Sequence, residues 1–279
     1  MAPERWDTFT DSDKGHGMSD FDTNWLDLRE PADGAARDAE LLEGAVAWLE
    51  AAGDAPLAVD LGCGTGSTLR AMSPHAPHLR WRLVDNDAAL LAEAGRRLAA
   101  TENVETVQAD LTDLDALDLS GVRLVTASAL FDLASRGFVE RLADRLVAER
   151  AGLYAALSYD GSVAWSEEHR LDAAVVAAFN GHQRGDKGLG AALGPDAGPA
   201  LADAFAARGY AVRTAPSPWR LGADEAPLRR LFDAGMADAV AETGAIATPD
   251  LAGWRQMRME NAGRGTCRVG HLDVLALPR

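Results

Sequence analysis

Residues 57–66, LAVDLGCGTG, set three glycines at alternate positions directly behind a short apolar run. The run reads as a buried strand, and residues 66–73 behind it read as a helix. Gly62, Gly64 and Gly66 allow a sharp turn and a close approach of backbone to a ligand. The first turn of the helix adds unpaired N–H groups and a partial positive charge. Asp60 stands near the strand's carboxyl end and Cys63 lies inside the loop. The spacing is Asp-x-Gly-x-Gly-x-Gly. A dinucleotide fingerprint, G-x-G-x-x-G counted from Gly62, would need glycine at position 67, where the chain has Ser67.

Around this loop the chain alternates. Strands are expected at 80–84, 104–108, 122–127 and 152–158, with helices at 87–100 and 136–149. Short apolar strands alternating with helices build a mostly parallel sheet covered on both faces. A helix over 32–52 precedes the first strand and stops at Gly53. After 158 the rhythm breaks. Residues 161–195 read as an insertion holding a helix at about 166–180 and the glycine-rich stretch GHQRGDKGLGAALGP. A helix at 197–208 and a strand at 210–215 resume the pattern, 223–262 is helical, and 269–277 is a last, antiparallel strand. Residues 1–24, polar and acidic, read as a mobile arm, with Met18 as a second possible start.

Charge narrows the partners. Lys and Arg number 27 against 43 Asp and Glu, a net charge of −16. Nucleic acids and anionic membrane surfaces attract basic faces, so neither is an expected partner. Cys63 and Cys267 are too few and too far apart for a disulfide framework or a zinc site, and no His/Cys cluster has metal-ligand spacing. The N-terminus lacks the apolar stretch of a signal peptide, and no apolar run reaches the roughly 18 residues that cross a bilayer. A cytoplasmic location is expected.

The glycine pattern resembles motif I of class I S-adenosylmethionine-dependent methyltransferases, and the likeness extends over roughly residues 25–160. It implies a Rossmann-like, doubly wound, mostly parallel α/β sheet of seven strands with an antiparallel C-terminal strand and helical insertions. On this reading 25–279 is one domain, and the segments at about 161–195 and 223–262 build a substrate chamber. The resemblance also assigns residues. The loop Gly62-Cys63-Gly64 with Gly66 would hold the methionine part of S-adenosyl-L-methionine, and Asp60 would support the loop and the cofactor's ammonium end. Asp85, 19 residues beyond Gly66, would accept both ribose hydroxyls. Asn86 would lie beside the adenine, and Asp110 with the backbone at Leu111 would meet the adenine edge. Asp87 reads instead as a helix cap. Arg29 either grips the cofactor carboxylate through two parallel hydrogen bonds or caps a nearby surface acid.

Acceptor chemistry is expected at the carboxyl ends of the later strands. The fourth strand ends in TASALFDLAS and lacks the Asp/Asn-Pro-Pro-aromatic segment of adenine and glutamine N-methyltransferases. That departure argues against a nucleobase or glutamine amide. Ser128 would lie near the sulfonium, and Asp132 and Ser135 would face the substrate, Asp132 as base, as cation ligand or as helix cap. Tyr159, Asp160 and Trp165 stand at the pocket mouth, with core packing the alternative for Trp165. The insertion contributes His182, Gln183, Asp186 and Lys187, and its glycines let it close as a lid, with His182 a candidate general base or a surface group. The expected activity is methyl transfer to a small molecule. Protein or peptide methylation, a non-catalytic cofactor-binding subunit or sensor, and a dinucleotide oxidoreductase weakened by Ser67 are the other readings.

Overall fold

The computed structural model describes residues 23–279. Most of the expected N-terminal arm lies outside them, while Thr23 and Asn24 belong to a helix. Helix α1 spans Thr23–Ala36 and α2 spans Ala39–Glu50. The single helix expected over 32–52 is therefore two. The break falls at Asp38, whose extended backbone (φ −70°, ψ 119°) and side chain cap α2 by accepting the Leu41 N–H.

The sheet follows. Its strands are β1 Leu57–Leu61, β2 Arg80–Asp85, β3 Val104–Gln108, β4 Val122–Ser128, β5 Gly152–Trp165, β6 Ala211–Pro216, β7 Trp219–Leu221 and β8 Cys267–Leu277. Between and after them run α3 Ser67–Met72, α4 Ala88–Arg97, α5 Arg136–Glu149, α6 Asp172–Gln183, α7 Ala197–Ala206, α8 Ala226–Thr243 and α9 Thr248–Asn261. The strand order is β3-β2-β1-β4-β5-β8-β6, with β7 also paired to β8. Neighbours from β3 to β5 are parallel, and β8 runs antiparallel to β5, β6 and β7. The three-residue β7 adds to the seven expected strands. It is too short to show a period and forms because β8 offers it a partner.

The order reverses between β1 and β4, so a crevice opens at their carboxyl ends. Leu61, Val125, Phe138, Leu142 and Phe205 pack one face of the sheet with α5 and α7. Leu49, Leu69, Trp81, Leu83, Leu124 and Tyr154 pack the other with α2, α3 and α4. Only a three-residue turn, Leu114–Ala116, follows β3. There an open groove of about 500 Å³ runs over Val84 and Val107, away from the glycine loop.

The insertion begins later than its sequence suggests. Strand β5 does not end at 158 but runs on to Trp165, because β8 continues beside it as far as Cys267. The first helix of the insertion is correspondingly α6, Asp172–Gln183, rather than 166–180. A shift of register between Ala155 and Ser158 puts Leu157 at φ +58°, a left-handed value costly for a side chain. The buried Asp273 holds this bulge. Its carboxylate accepts from Leu157 N–H (2.8 Å), Ser217 Oγ (2.5 Å) and Asp38 N–H (3.0 Å). The outer halves of β5 and β8 support a third core of Tyr159, Trp165, Trp219, Met236 and Trp254 under α6, α8 and α9.

Candidate active site

The three loop glycines all adopt left-handed backbone, with φ of 63° at Gly62, 52° at Gly64 and 86° at Gly66. A Cβ on Gly62 would stand 3.2 Å from Leu130, and one on Gly66 would stand 3.0 Å from Leu98. The loop is tied from below and from the side. Cys63 N–H donates to Val84 O at 3.1 Å, and the Asp85 carboxylate accepts the Gly64 N–H at 2.8 Å and the Asp87 N–H at 3.0 Å. Burial raises the Asp85 pKa, opposed by those backbone N–H groups. Asp87 caps α4 as expected, accepting from Ala89 and Leu90. Asp60 is buried at the end of β1 and accepts from Thr126 Oγ1 at 2.7 Å, leaving Oδ2 unpartnered. Desolvation pushes its pKa to about 7, against the Thr126 hydrogen bond and the charge of Arg37. The Cys63 thiol is pushed well above its ordinary range by burial.

Two small cavities flank Gly62. One, of about 50 Å³, is bounded by Arg29, Asp33, Gly64, Ser67, Thr68 and Ser128. The other, of about 130 Å³, is bounded by Asp85, Asn86, Asp110, Leu111, Thr112 and, from the insertion, Gly188 and Leu189. The structure thus brings the glycine loop, Asp85, Asn86, Asp110, Leu111, Arg29 and Ser128 around one crevice. Asp110 also accepts the Thr112 N–H at 2.8 Å, and the Asn86 carbonyl accepts from Gln108 Nε2 at 3.0 Å.

Arg29 reaches the crevice already paired. Its Nε donates to Asp33 Oδ2 at 2.9 Å and a second nitrogen to Oδ1 at 3.3 Å, with the guanidinium over Trp219 at 5.2 Å. A second arginine escaped the sequence reading. Arg37 is buried, its Nη2 donates to Ser128 Oγ at 3.1 Å, and its Nη1 has no partner. Arg37 stands eight residues after Arg29. Position in the sequence alone does not distinguish a buried arginine from a surface one.

Beyond Ser128 the backbone is again left-handed at Ala129 (φ 50°), strain of the kind that collects at functional sites. Asp132 follows, 9% exposed, with Oδ1 unpartnered. Burial pushes its pKa up to about 6, partly offset by its own backbone and by Arg29. Ser135 caps α5 by accepting the Phe138 N–H. The Tyr159 hydroxyl donates to Asn180 Oδ1 at 2.9 Å. Asp160 accepts from its neighbour Ser162, and Trp165 donates to the buried Asp233 while packing edge-on to Trp254. Trp165 is therefore a core residue.

His182 sits in the last turn of α6, with Nε2 2.9 Å from Glu242 on α8 and Nδ1 3.3 Å from Lys187 Nζ. Both ring nitrogens are occupied, and His182 lines neither cavity beside Gly62. The glycine-rich stretch instead runs along the end of β4, bridging Leu189 to Ala134 and Ala192 to Ser135. His271, absent from the sequence reading, faces Tyr159 across the β5–β8 ladder. It is 6% exposed with Nδ1 unpartnered, and desolvation lowers its pKa to about 3. Among the described residues no group of His, Cys, Asp and Glu has the arrangement of a metal site, and no helix is long and apolar enough to cross a membrane.

Comparison with known proteins agrees with the loop and the sheet. Residues 58–148 match the family model described as a methyltransferase domain. The search of curated proteins returns no match. Among solved structures, YcgJ from Bacillus subtilis is 15% identical, with 87% of this chain and 99% of that chain covered at a TM-score of 0.49. An O-methyltransferase family protein from Burkholderia thailandensis is 14% identical, with 89% and 57% covered at 0.47. Precorrin-6y C5,15-methyltransferase from Geobacter metallireducens is 13% identical, with 86% and 88% covered at 0.43. Strands β1 to β4 and the glycine loop lie inside that matched segment, so residues 58–148 carry the features of a methyltransferase domain.

Proposed function

We propose that the chain is a cytoplasmic enzyme that methylates a small molecule, with residues 25–279 as one domain whose helices α6, α8 and α9 wall the acceptor chamber. The observation that carries this reading is the juxtaposition of a strained glycine cradle, tied down by Asp85, with the unpaired, buried Asp132 at the end of β4.

The residues present fit the cofactor. The cradle admits no Cβ at Gly62 or Gly66 without strain, because Leu130 and Leu98 stand against those positions, so the loop keeps its tight left-handed path. The unpartnered Arg37 Nη1 and Asp60 Oδ2 supply one donor and one acceptor at the methionine end, beside Arg29. Asp85 has lone pairs beyond the two it gives to backbone N–H groups, enough for ribose hydroxyls. Asn86, Asp110 and Leu111 bound the base, with Leu189 as an outer wall. When bound, the cofactor supplies an electrophilic methyl group on a sulfonium.

The chain's own contribution is position and proton handling. In-line attack gains most of its acceleration from held geometry. Ser128 and the strained Ala129 direct the chain from the cofactor crevice to Asp132. Asp132, with a pKa near 6, is largely ionised at neutral pH and can take a proton from an acceptor that arrives protonated. Tyr159 lines the chamber through its ring, fixed by Asn180. His182, held between Glu242 and Lys187, braces α6 against α8 and the lid.

Titration calorimetry of the full chain with S-adenosylmethionine and with its demethylated product tests the reading. Micromolar affinity for both is expected, and tight NADH binding without response to either sulfur compound would overturn it.

A further inference from the structure

Beyond Ser128, around Tyr159, two buried polar atoms lack partners. Asp132 Oδ1 and His271 Nδ1 belong to side chains more than nine-tenths buried, 9% and 6% exposed. They come from different elements, Asp132 from the turn Phe131–Leu133 behind β4 and His271 from β8. Tyr159 lies between them. Its ring stands 6.4 Å from the His271 ring, and the charge of Asp132 helps raise its phenol pKa. The remaining walls are aromatic. Trp219 is 5.0 Å from His271, and Phe179 is 5.7 Å from Tyr159.

The charges there are unequal. Arg29 acts on both Asp132 and His271, but its guanidinium is paired with Asp33, which also accepts from Trp219 Nε1 at 2.8 Å. That leaves one carboxylate uncompensated. Burial keeps His271 neutral, and with its proton on Nε2 it offers Nδ1 as an acceptor. A carboxylate or phosphate on the acceptor would meet the Asp132 carboxylate, and Arg29, the cation that acts on Asp132, is held by Asp33. A hydroxyl brings a single proton to two acceptors. An ammonium brings three donors, and its charge is favoured by the carboxylate and by aromatic faces.

On the methyltransferase reading above, we infer that the acceptor is a small amine, bound as its ammonium by Asp132 and His271 within the Tyr159–Trp219 wall. Asp132 takes one N–H proton and frees the nitrogen lone pair. That pair forms the new N–C bond to the methyl carbon as the C–S bond breaks, its electrons remaining on sulfur as the neutral thioether. The product leaves as the N-methylammonium, and Asp132 returns its proton to water.

The test uses the full chain with S-adenosylmethionine and four probes of one shape: phenethylamine, N-methylphenethylamine, 2-phenylethanol and phenylacetate. Methylated product is followed by mass spectrometry, and probe binding to the protein loaded with demethylated cofactor by calorimetry. At least one amine is methylated, with kcat/KM about 100-fold or more above the alcohol and the acid. Asp132→Asn lowers amine kcat/KM about 100-fold, and His271→Gln raises KM for the amine about tenfold, while affinity for the demethylated cofactor stays within about twofold in both. The His271 variant and the retained cofactor affinity keep the test decisive should the Asp132 variant fold poorly. Preference for the alcohol or acid, or no amine product from a chain that binds S-adenosylmethionine, overturns the amine assignment and leaves the methyltransferase reading intact. Failure to bind S-adenosylmethionine overturns the reading beneath it.

Discussion

At the end of β2, Asp85 satisfies two backbone N–H groups and fixes the loop that its own crevice requires. At the end of β4, Asp132 keeps Oδ1 unpaired, and across β5 His271 keeps Nδ1 unpaired. Both acids are buried and both have raised pKa values, yet their surroundings differ in kind. Around Asp85 the proposed cofactor side is assembled in advance, so ligand binding there costs little reordering. The proposed acceptor side keeps bonding capacity in reserve, which costs the fold stability and makes a ligand with matching donors worth more.

That contrast can be broken most forcefully at the cradle. Gly62→Val forces a branched side chain into left-handed backbone against Leu130. It is expected to weaken cofactor affinity about 100-fold, or about 2.7 kcal/mol. Calorimetry with the demethylated cofactor would show unchanged affinity if the cradle were not the binding element.

The reserve at Asp132 has a sign in pH. Its folded pKa, about 6, lies above the ordinary 3.8. The folded state therefore holds a proton that the unfolded state has lost between those values, and stability falls as pH rises through that window. Asp132→Asn removes this dependence. The stability difference between variant and parent should move in the variant's favour by about 2 kcal/mol from pH 4 to pH 7. Urea titrations at both pH values measure it, and a pH-independent difference would mean that Asp132 is not held in an unfavourable charged state. His271 runs the other way. Its pKa is depressed to about 3, so it adds stability as pH rises from about 3 to 6.5. Only the difference between variants isolates the acid.

Asp85→Ala removes a carboxylate that both steadies Gly64 and lines the cavity shared with Asn86 and Asp110. Cofactor affinity should fall about tenfold, or about 1.4 kcal/mol, with the fold retained. Unchanged affinity would reduce Asp85 to a structural cap. Leu189→Ala thins the wall that the insertion lays over the same cavity and should weaken the cofactor about fivefold, about 1 kcal/mol. No change there would separate the insertion from cofactor binding. The smallest effect on the cofactor is expected at His182, bound to Glu242 and Lys187 outside both cavities. His182→Ala should lower turnover or acceptor affinity and leave cofactor affinity within about twofold, about 0.4 kcal/mol. A larger loss of cofactor affinity would draw the two sides of the crevice into one unit.

What the amino-acid sequence determined by itself was local. Three glycines at alternate positions after an apolar strand leave the backbone few paths, and strands that bury both faces announce themselves by composition. Strands β1, β2 and β4, helix α5 and the glycine turn were legible for that reason. Tertiary structure decided the remainder, because there the partner lies far along the chain. Strand β5 runs on to Trp165 only because β8, a hundred residues later, pairs with it, and β7 forms only on that same strand. Asp38 divides the first helix at a point where its N–H meets Asp273. Arg37 and His271 are buried, and no spacing encodes burial of a lone polar side chain. The glycines of the insertion were visible in sequence, but the bridges to Ala134 and Ser135, which carry Leu189 to the cavity beside Asp85 and Asp110, were not. Such contacts depend on how two distant segments cross, and that is settled only when the whole sheet closes around them.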